Sequence, residues 1–372
     1  MAYLDDERFS QAYTIPLDAT PGRSSPLTVS YSDYGYHHPD GPSHDNVVLI
    51  CGPMLSCRFF HVAKDNLAKR YGLRIIYPDR PGMGRTTAVP LDQRVEAWLR
   101  ALLSSLPLQR LISSLTSPAE IIPALLAHLG ISHISLVSQS GGTIYAASTL
   151  LHQRHLLHPT RPYVAMCAPW IAPKDTGAPL MVLTSGVVPS ALLGKVQTVN
   201  RFVVSMAPVS SFSSMCLKAV VPGKRAEPPL AEGVDPAEAD FEKEVLSRVI
   251  YRAYEEDMTG LGQEALFLMQ RGVEWGDWGN YDRLVEMVAA RERAESTKVK
   301  VRAYFAESDI MIGTDKGPAY FDKCWREKGA GQVDYHSRRV PFAEHDYILS
   351  LRYGVAEEIF KEISVLSEQA GS

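Results

Sequence analysis

No Cys-x-x-Cys pair occurs in this sequence. Its five cysteines (Cys51, Cys57, Cys167, Cys216 and Cys324) are scattered and odd in number. That spacing suggests neither a zinc site nor a dense disulfide framework, so small buried thiols in a reducing compartment are expected. No run of Lys or Arg appears either. Lys and Arg together number 38 against 42 Asp and Glu, a net charge of −4. Nucleic-acid proteins are usually basic, so nucleic acid is not an expected partner. The first eight residues are charged and carry no apolar core of a signal peptide. The most apolar stretch, Ala178 to Gly194, is broken by Thr184, Ser185, Gly186, Pro189 and Ser190 and makes a poor membrane span. A cytoplasmic protein without stable membrane insertion is expected. No internal repeat or low-complexity tract is present.

What remains is ordinary for a soluble globular chain: 45% hydrophobic and 22% charged residues over 372 positions. That length fits one large α/β domain carrying an insertion. Short apolar runs at Leu27–Tyr31, Val47–Cys51, Leu73–Tyr77, His133–Ser138 and Tyr163–Cys167 read as strands. Between them, Phe59–Tyr71, Ser117–Leu129 and Thr143–Leu151 read as helices. The alternation stops from Ile171 to Ser296, where apolar pieces broken by Ser and Pro precede three helices: Asp235–Glu256, Gln263–Gln270 and Tyr281–Ala294. It returns with strand Val299–Phe305, a helix near Gly317–Lys328, strand Val333–Val340 and a last helix Tyr347–Leu366. The fold class expected is α/β: a mostly parallel, doubly wound sheet with an inserted helical lid. Residues 1–170 and 297–372 would form the core, and 171–296 the lid. Such sheets place ligands at the carboxyl ends of their strands.

At one such end stands Ser140, between the small residues Ser138 and Gly142. A nucleophile on a sharp strand-to-helix turn needs small neighbours, and the helix N-terminus favours negative charge beside it. An ordinary corner with a capping serine has the same local pattern. A serine hydroxyl also needs a base and a group to orient that base. The loop after Val299–Phe305 offers Asp309 or Glu307, and the loop after Val333–Val340 offers His345. The order Ser, acid, His, each just past a strand, is much harder to reach by accident than any one residue alone. Acyl transfer further needs N–H donors for a developing oxyanion. Gly141 follows the serine directly. In the loop after Cys51, Pro53 has no N–H, which leaves Met54 as the first amide beyond it.

Three segments carry a family resemblance: Gly52-Pro-Met-Leu-Ser-Cys-Arg58, Asp79-Arg-Pro-Gly-Met-Gly84 and Gln139-Ser-Gly-Gly-Thr-Ile-Tyr145. With Trp275-Gly-Asp-Trp-Gly279, Glu307-Ser-Asp309 and Glu344-His-Asp-Tyr347, they make the chain resemble lidded serine hydrolases of the α/β-hydrolase superfamily over roughly residues 25–170 and 275–366. The resemblance implies Ser140 as nucleophile, His345 as base, Asp309 as its orienter, and Met54 and Gly141 as oxyanion donors. It departs at Gly52-Pro53, where the family has His-Gly, and at Ser138 and Gln139, where Gly and His are usual. Arg58 and Arg85 either bind an acidic substrate or hold loops. The many Leu, Val, Met and Phe residues of 178–221 either pack the lid or line a pocket for a hydrophobic small molecule.

The expected activity is hydrolysis of an ester, lactone or thioester of such a molecule through an acyl-enzyme, with secondary metabolism as a setting that the resemblance alone suggests. The alternatives are acyl transfer or carbon–carbon cleavage on the same triad, and a non-catalytic ligand receptor on the same fold. No metal or organic cofactor is called for, and the oligomeric state is left open.

Overall fold

The computed structural model describes residues 2–16, 26–55, 57–99, 121–178, 181, 227–273 and 275–371. Eight strands form one sheet: β1 Gln11–Ile15, β2 Leu27–Gly35, β3 Asn46–Cys51, β4 Leu73–Pro78, β5 Ile134–Gln139, β6 Tyr163–Cys167, β7 Val299–Ser308 and β8 Val333–Glu344. Their order is β1-β2-β4-β3-β5-β6-β7-β8. The pairings β1–β2 and β2–β4 are antiparallel, and all the others are parallel. Every residue of β4, β5 and β6 is buried. Parallel strands covered on both faces read as such continuous apolar runs, and each aliphatic side chain so buried stabilises by about 1.5–3 kcal/mol.

The helices are α1 Asp65–Arg70, α2 Arg94–Leu99, α3 Ile121–His128, α4 Gly142–His152, α5 Pro173–Thr176, α6 Pro236–Tyr254, α7 Gly260–Leu268, α8 Tyr281–Glu295, α9 Lys316–Lys323 and α10 Val355–Gly371. Helices α3, α4, α8 and α9 cover one face of the sheet, with Leu125, Leu150, Leu284 and Phe321 in one buried cluster. Helices α1, α6 and α10 cover the other through Leu67, Val249 and Ile359. Helix α6 opens on Asp235, whose side chain accepts from the Ala237 amide, with Pro236 in the first turn. The last helix of the expected insertion, α8, packs against α4 and the turn Cys324–Lys328.

Four carboxylates of the chain after residue 226 tie it to the core. Glu242 pairs with Lys64, Glu256 with Arg58, Glu264 with Arg80 and Arg94, and Glu292 with Arg154. Arg58 is fully buried between Asp79 and Glu256, and Arg85 donates to the Ser10 carbonyl, so both hold loops in place.

Several boundaries differ from those read off the sequence. Strand β1 was not anticipated. Only the second half of Phe59–Tyr71 is α-helical, after a 3-10 turn at Val62–Lys64. The last helix starts at Val355, not at Tyr347. Glu242 accepts from the Ser350 hydroxyl and the Leu351 amide, and Gly354 takes φ 68, so residues 345–354 are held as turns. Cys216, residues 117–120 and most of the apolar stretch 178–221 lie outside the described residues, and the four described cysteines are buried and free. Among the described residues, no helix is long and apolar enough to cross a membrane.

Candidate active site

The strand order reverses between β3 and β5, because β4 lies on one side of β3 and β5 on the other. Loops leaving the two strands diverge there and open a crevice at the carboxyl edge. Cys51 is in register with Ser138, so the loop holding Met54 and the turn holding Ser140 start side by side. On the same edge Cys167 pairs with Gln139 and Tyr304, and Ser308 with Glu344. Asp309 and His345 are the residues immediately after Ser308 and Glu344. The edge therefore gathers residues from positions 54 to 345.

Ser140 sits at φ 51, a left-handed backbone that a non-glycine residue rarely adopts. The surroundings hold it there. Its amide donates to the Cys167 carbonyl at 3.0 Å, and its carbonyl accepts from Thr143 at 2.9 Å and Trp170 at 3.3 Å. Such strain collects at functional sites. Close packing explains the glycine after next: a Cβ on Gly142 would stand 1.9 Å from the Cys51 carbonyl oxygen. Ser138 fits where glycine is usual, since its hydroxyl donates to the Ala165 carbonyl at 3.3 Å.

Ser140 Oγ is 2.7 Å from His345 Nε2, and His345 Nδ1 is 2.7 Å from Asp309 Oδ2. All three residues are buried. Burial pushes the imidazole pKa down, but the charge and hydrogen bond of Asp309 outweigh it, and the net shift is upward from 6.5. Asp309 Oδ1 accepts the amides of Met311 and Ile312, each at 2.9 Å. Glu307 is turned elsewhere and accepts from the Phe342 amide at 2.8 Å. A hydroxyl, an imidazole and a carboxylate chained in this way can move a proton away from the hydroxyl.

The Met54 and Gly141 amides donate to no protein acceptor among the described residues. The peptide joining Pro53 to Met54 is held from its other side, where Arg80 Nη2 donates to the Pro53 carbonyl. Arg80 is itself fixed by Glu264 Oε1 at 2.8 Å. In a trans peptide the C=O and N–H point in opposite directions, so gripping one aims the other.

A narrow crevice of about 20 Å³ reaches Ser140 between Met54, Leu55, Phe60, Trp170 and Met311. Trp170 also stands edge-on to the His345 ring at 6.4 Å and donates to the Leu268 carbonyl at 3.1 Å. The sequence reading missed Phe60, Trp170, Leu268 and Met311 as neighbours of the site. Position just past β6 was the one available signal for Trp170, as was position two residues beyond Asp309 for Met311; Phe60 and Leu268 had none. Gln139 was read as a departure, and its side chain donates to the Asp346 carbonyl at 2.7 Å, joining the serine turn to the histidine turn. No group of three or more His, Cys, Asp or Glu among the described residues is arranged to hold a metal ion.

Solved structures share this architecture. An epoxide hydrolase from Vigna radiata aligns over 98% of this chain and 99% of its own, with a TM-score of 0.52 at 13% identity. A carboxylesterase structure from the Thaumarchaeon Nitrososphaera gargenis aligns over 96% and 100%, with a TM-score of 0.51 at 13% identity. This chain has the α/β-hydrolase fold. A thermophilic esterase from Thermogutta terrifontis shares the α/β-hydrolase architecture over 97% of this chain and 100% of its own, with a TM-score of 0.50 at 15% identity. No protein-family model matches the sequence, and no curated protein matches it significantly.

Proposed function

We propose that this α/β-hydrolase-fold protein is a serine hydrolase that cleaves an ester, lactone or thioester of a hydrophobic small molecule through an acyl-enzyme. The observation that carries the reading is the buried relay of Ser140, His345 and Asp309, with both hydrogen bonds at 2.7 Å. In this reading Ser140 Oγ attacks the substrate carbonyl while His345 Nε2 takes its proton. The Met54 and Gly141 amides receive the oxyanion. The tetrahedral intermediate collapses as His345 returns the proton to the leaving group. Water, activated by the same imidazole, then releases the acid and frees Ser140. Asp309 holds the tautomer that leaves Nε2 able to accept. Epoxide opening by carboxylate attack needs an acid at the turn, and position 140 is a serine.

The apolar wall of Leu55, Phe60, Trp170 and Met311 supports a hydrophobic acyl or alcohol group beside the serine. In the same reading residues 171–296 supply the cap over this edge.

A fluorophosphonate probe tests the chemistry. Labelling of the native protein that disappears in Ser140→Ala is the expected result, whereas an unlabelled native protein would leave a ligand receptor on this fold. A panel of acyl esters graded in chain length then ranks substrates, and product analysis separates hydrolysis from acyl transfer or carbon–carbon cleavage.

A further inference from the structure

A second cavity, of about 200 Å³, lies at the opposite edge of the sheet from Ser140, beneath the amino ends of β3 and β5. Its walls come from the turn before β3, the turn before β5, the segment His158–Arg161 and the side of α10. That volume holds several water molecules, enough for a tetrahedral oxyanion with a small substituent. Unlike the crevice at Ser140, it is polar.

Its charge is unbalanced. Arg161 has no carboxylate partner among the described residues, and its Nη1 is buried without a hydrogen bond. Burial alone acts on this guanidinium and lowers its pKa, with no neighbouring acid to offset the loss of water. A guanidinium left this way is uncommon, because buried donors almost always find acceptors. The nearby cation of Arg154 is matched by Glu292. Asp45, the acid in the cavity wall, is taken up by Arg74 at 2.8 Å and by the His38 amide at 2.6 Å.

Two histidines complete the wall beside Arg161. The rings of His133 and His158 stand 5.4 Å apart, edge to face. The Thr160 amide donates to His158 Nδ1 at 3.3 Å, so that nitrogen is unprotonated and the proton of the neutral ring is on Nε2. Burial first, and then the positive charges of Arg161, His133 and Arg154, push the His158 pKa down to about 4. The site thus presents a half-buried guanidinium, unmatched among the described residues and with its Nη1 out of reach of water, beside two imidazoles. Asn46, Ser132 and Ser135 add neutral polar groups to the lining.

We propose that the cavity bounded by His133, His158 and Arg161 binds a phosphate-type oxyanion, either free phosphate or a phosphate monoester. Arg161 supplies the planar fork that matches such oxygens, and the imidazoles complete the contact. The site lies on the far side of the sheet from Ser140 and stands independently of the chemistry read there.

Titration calorimetry of the full chain tests this, with inorganic phosphate and phenyl phosphate as probes and chloride balancing ionic strength. Native protein should bind at least one probe, and Arg161→Met should weaken it at least tenfold. Tighter binding of phenyl phosphate would identify a monoester site, and tighter or equal binding of inorganic phosphate a site for the free ion. The melting temperature of Arg161→Met in chloride should not fall, since the lost charge has no acid partner among the described residues. If that variant does not fold, His133→Gln changes an exposed ring and should weaken phosphate several-fold. Absence of binding to the native protein, or unchanged affinity in the variant that folds, overturns the proposal.

Discussion

Asp309 divides its two oxygens between different tasks: Oδ2 meets His345 Nδ1 at 2.7 Å, while Oδ1 takes the amides of Met311 and Ile312. Both oxygens must accept. An asparagine cannot do this, because its amide nitrogen would face either Nδ1 or two N–H groups. Facing Nδ1, it would force the ring proton onto Nε2 and stop the imidazole from taking a proton from Ser140. Asp309→Asn is therefore expected to lower kcat about 10³- to 10⁴-fold on the best ester in the panel. Glu307→Gln should leave kcat within a few-fold of native. A crippled Glu307→Gln with an active Asp309→Asn would reassign the acid.

The pH profile follows from the same pair. His345 must be neutral at Nε2 to act as a base, so kcat/KM should fall as pH drops through its pKa. The net upward shift puts the midpoint of that acidic limb above 6.5. Any residual activity of Asp309→Asn should show a midpoint at lower pH, since burial then acts with the main opposing charge removed. A native limb centred below 6.5 would contradict the assigned pairing.

The Pro53–Met54 peptide depends on a residue far from the chemistry. Arg80→Met frees the Pro53 carbonyl without touching the relay. Steady-state kinetics on the same ester should show kcat reduced about 10- to 100-fold with KM changed much less, as expected when an oxyanion donor loses its aim. A loss confined to KM would place Arg80 in ordinary substrate binding.

Glu264 is fully buried and accepts from Arg80, Arg94 and Tyr145. Its removal leaves two guanidinium groups without their shared acid. Breaking a buried pair from one side costs about 3–5 kcal/mol, so Glu264→Gln should shift the urea midpoint strongly. Near-native stability in that variant would mean that water reaches the cluster.

The two glycines after Ser140 should respond differently to alanine. At Gly142 a Cβ meets backbone, the Cys51 carbonyl oxygen at 1.9 Å, whereas at Gly141 it meets the tip of Leu268 at 2.7 Å. A leucine tip can rotate, but a strand end cannot. Gly142→Ala is expected to cost at least about 1–3 kcal/mol by urea denaturation, and Gly141→Ala less. Equal losses would show that the Leu268 side is as rigid as the strand.

Most of the sheet was legible because β3 to β6 are apolar runs with helices between them, a pattern that depends only on neighbouring residues. The edge strand β1 was not, since Gln11–Ile15 alternates weakly and gains its place from pairing with β2. The start of α10 was misread for a similar reason. Tyr347 to Tyr353 has helix-compatible residues, but Glu242, more than a hundred positions away, holds it in turns.

By itself the sequence determined the alternation of strand and helix, the crowded turn at Ser140, and the placing of an acid and a histidine just past two later strands. Local residue patterns carry that information, because backbone preference and apolar spacing act over a few residues. Tertiary structure alone decided that Asp309 and not Glu307 faces His345, that Arg80 grips Pro53, and that Arg161 meets no acid among the described residues. Each of these depends on which side chains the packed sheet brings within about 3 Å, a hydrogen-bond distance that pattern and spacing do not encode.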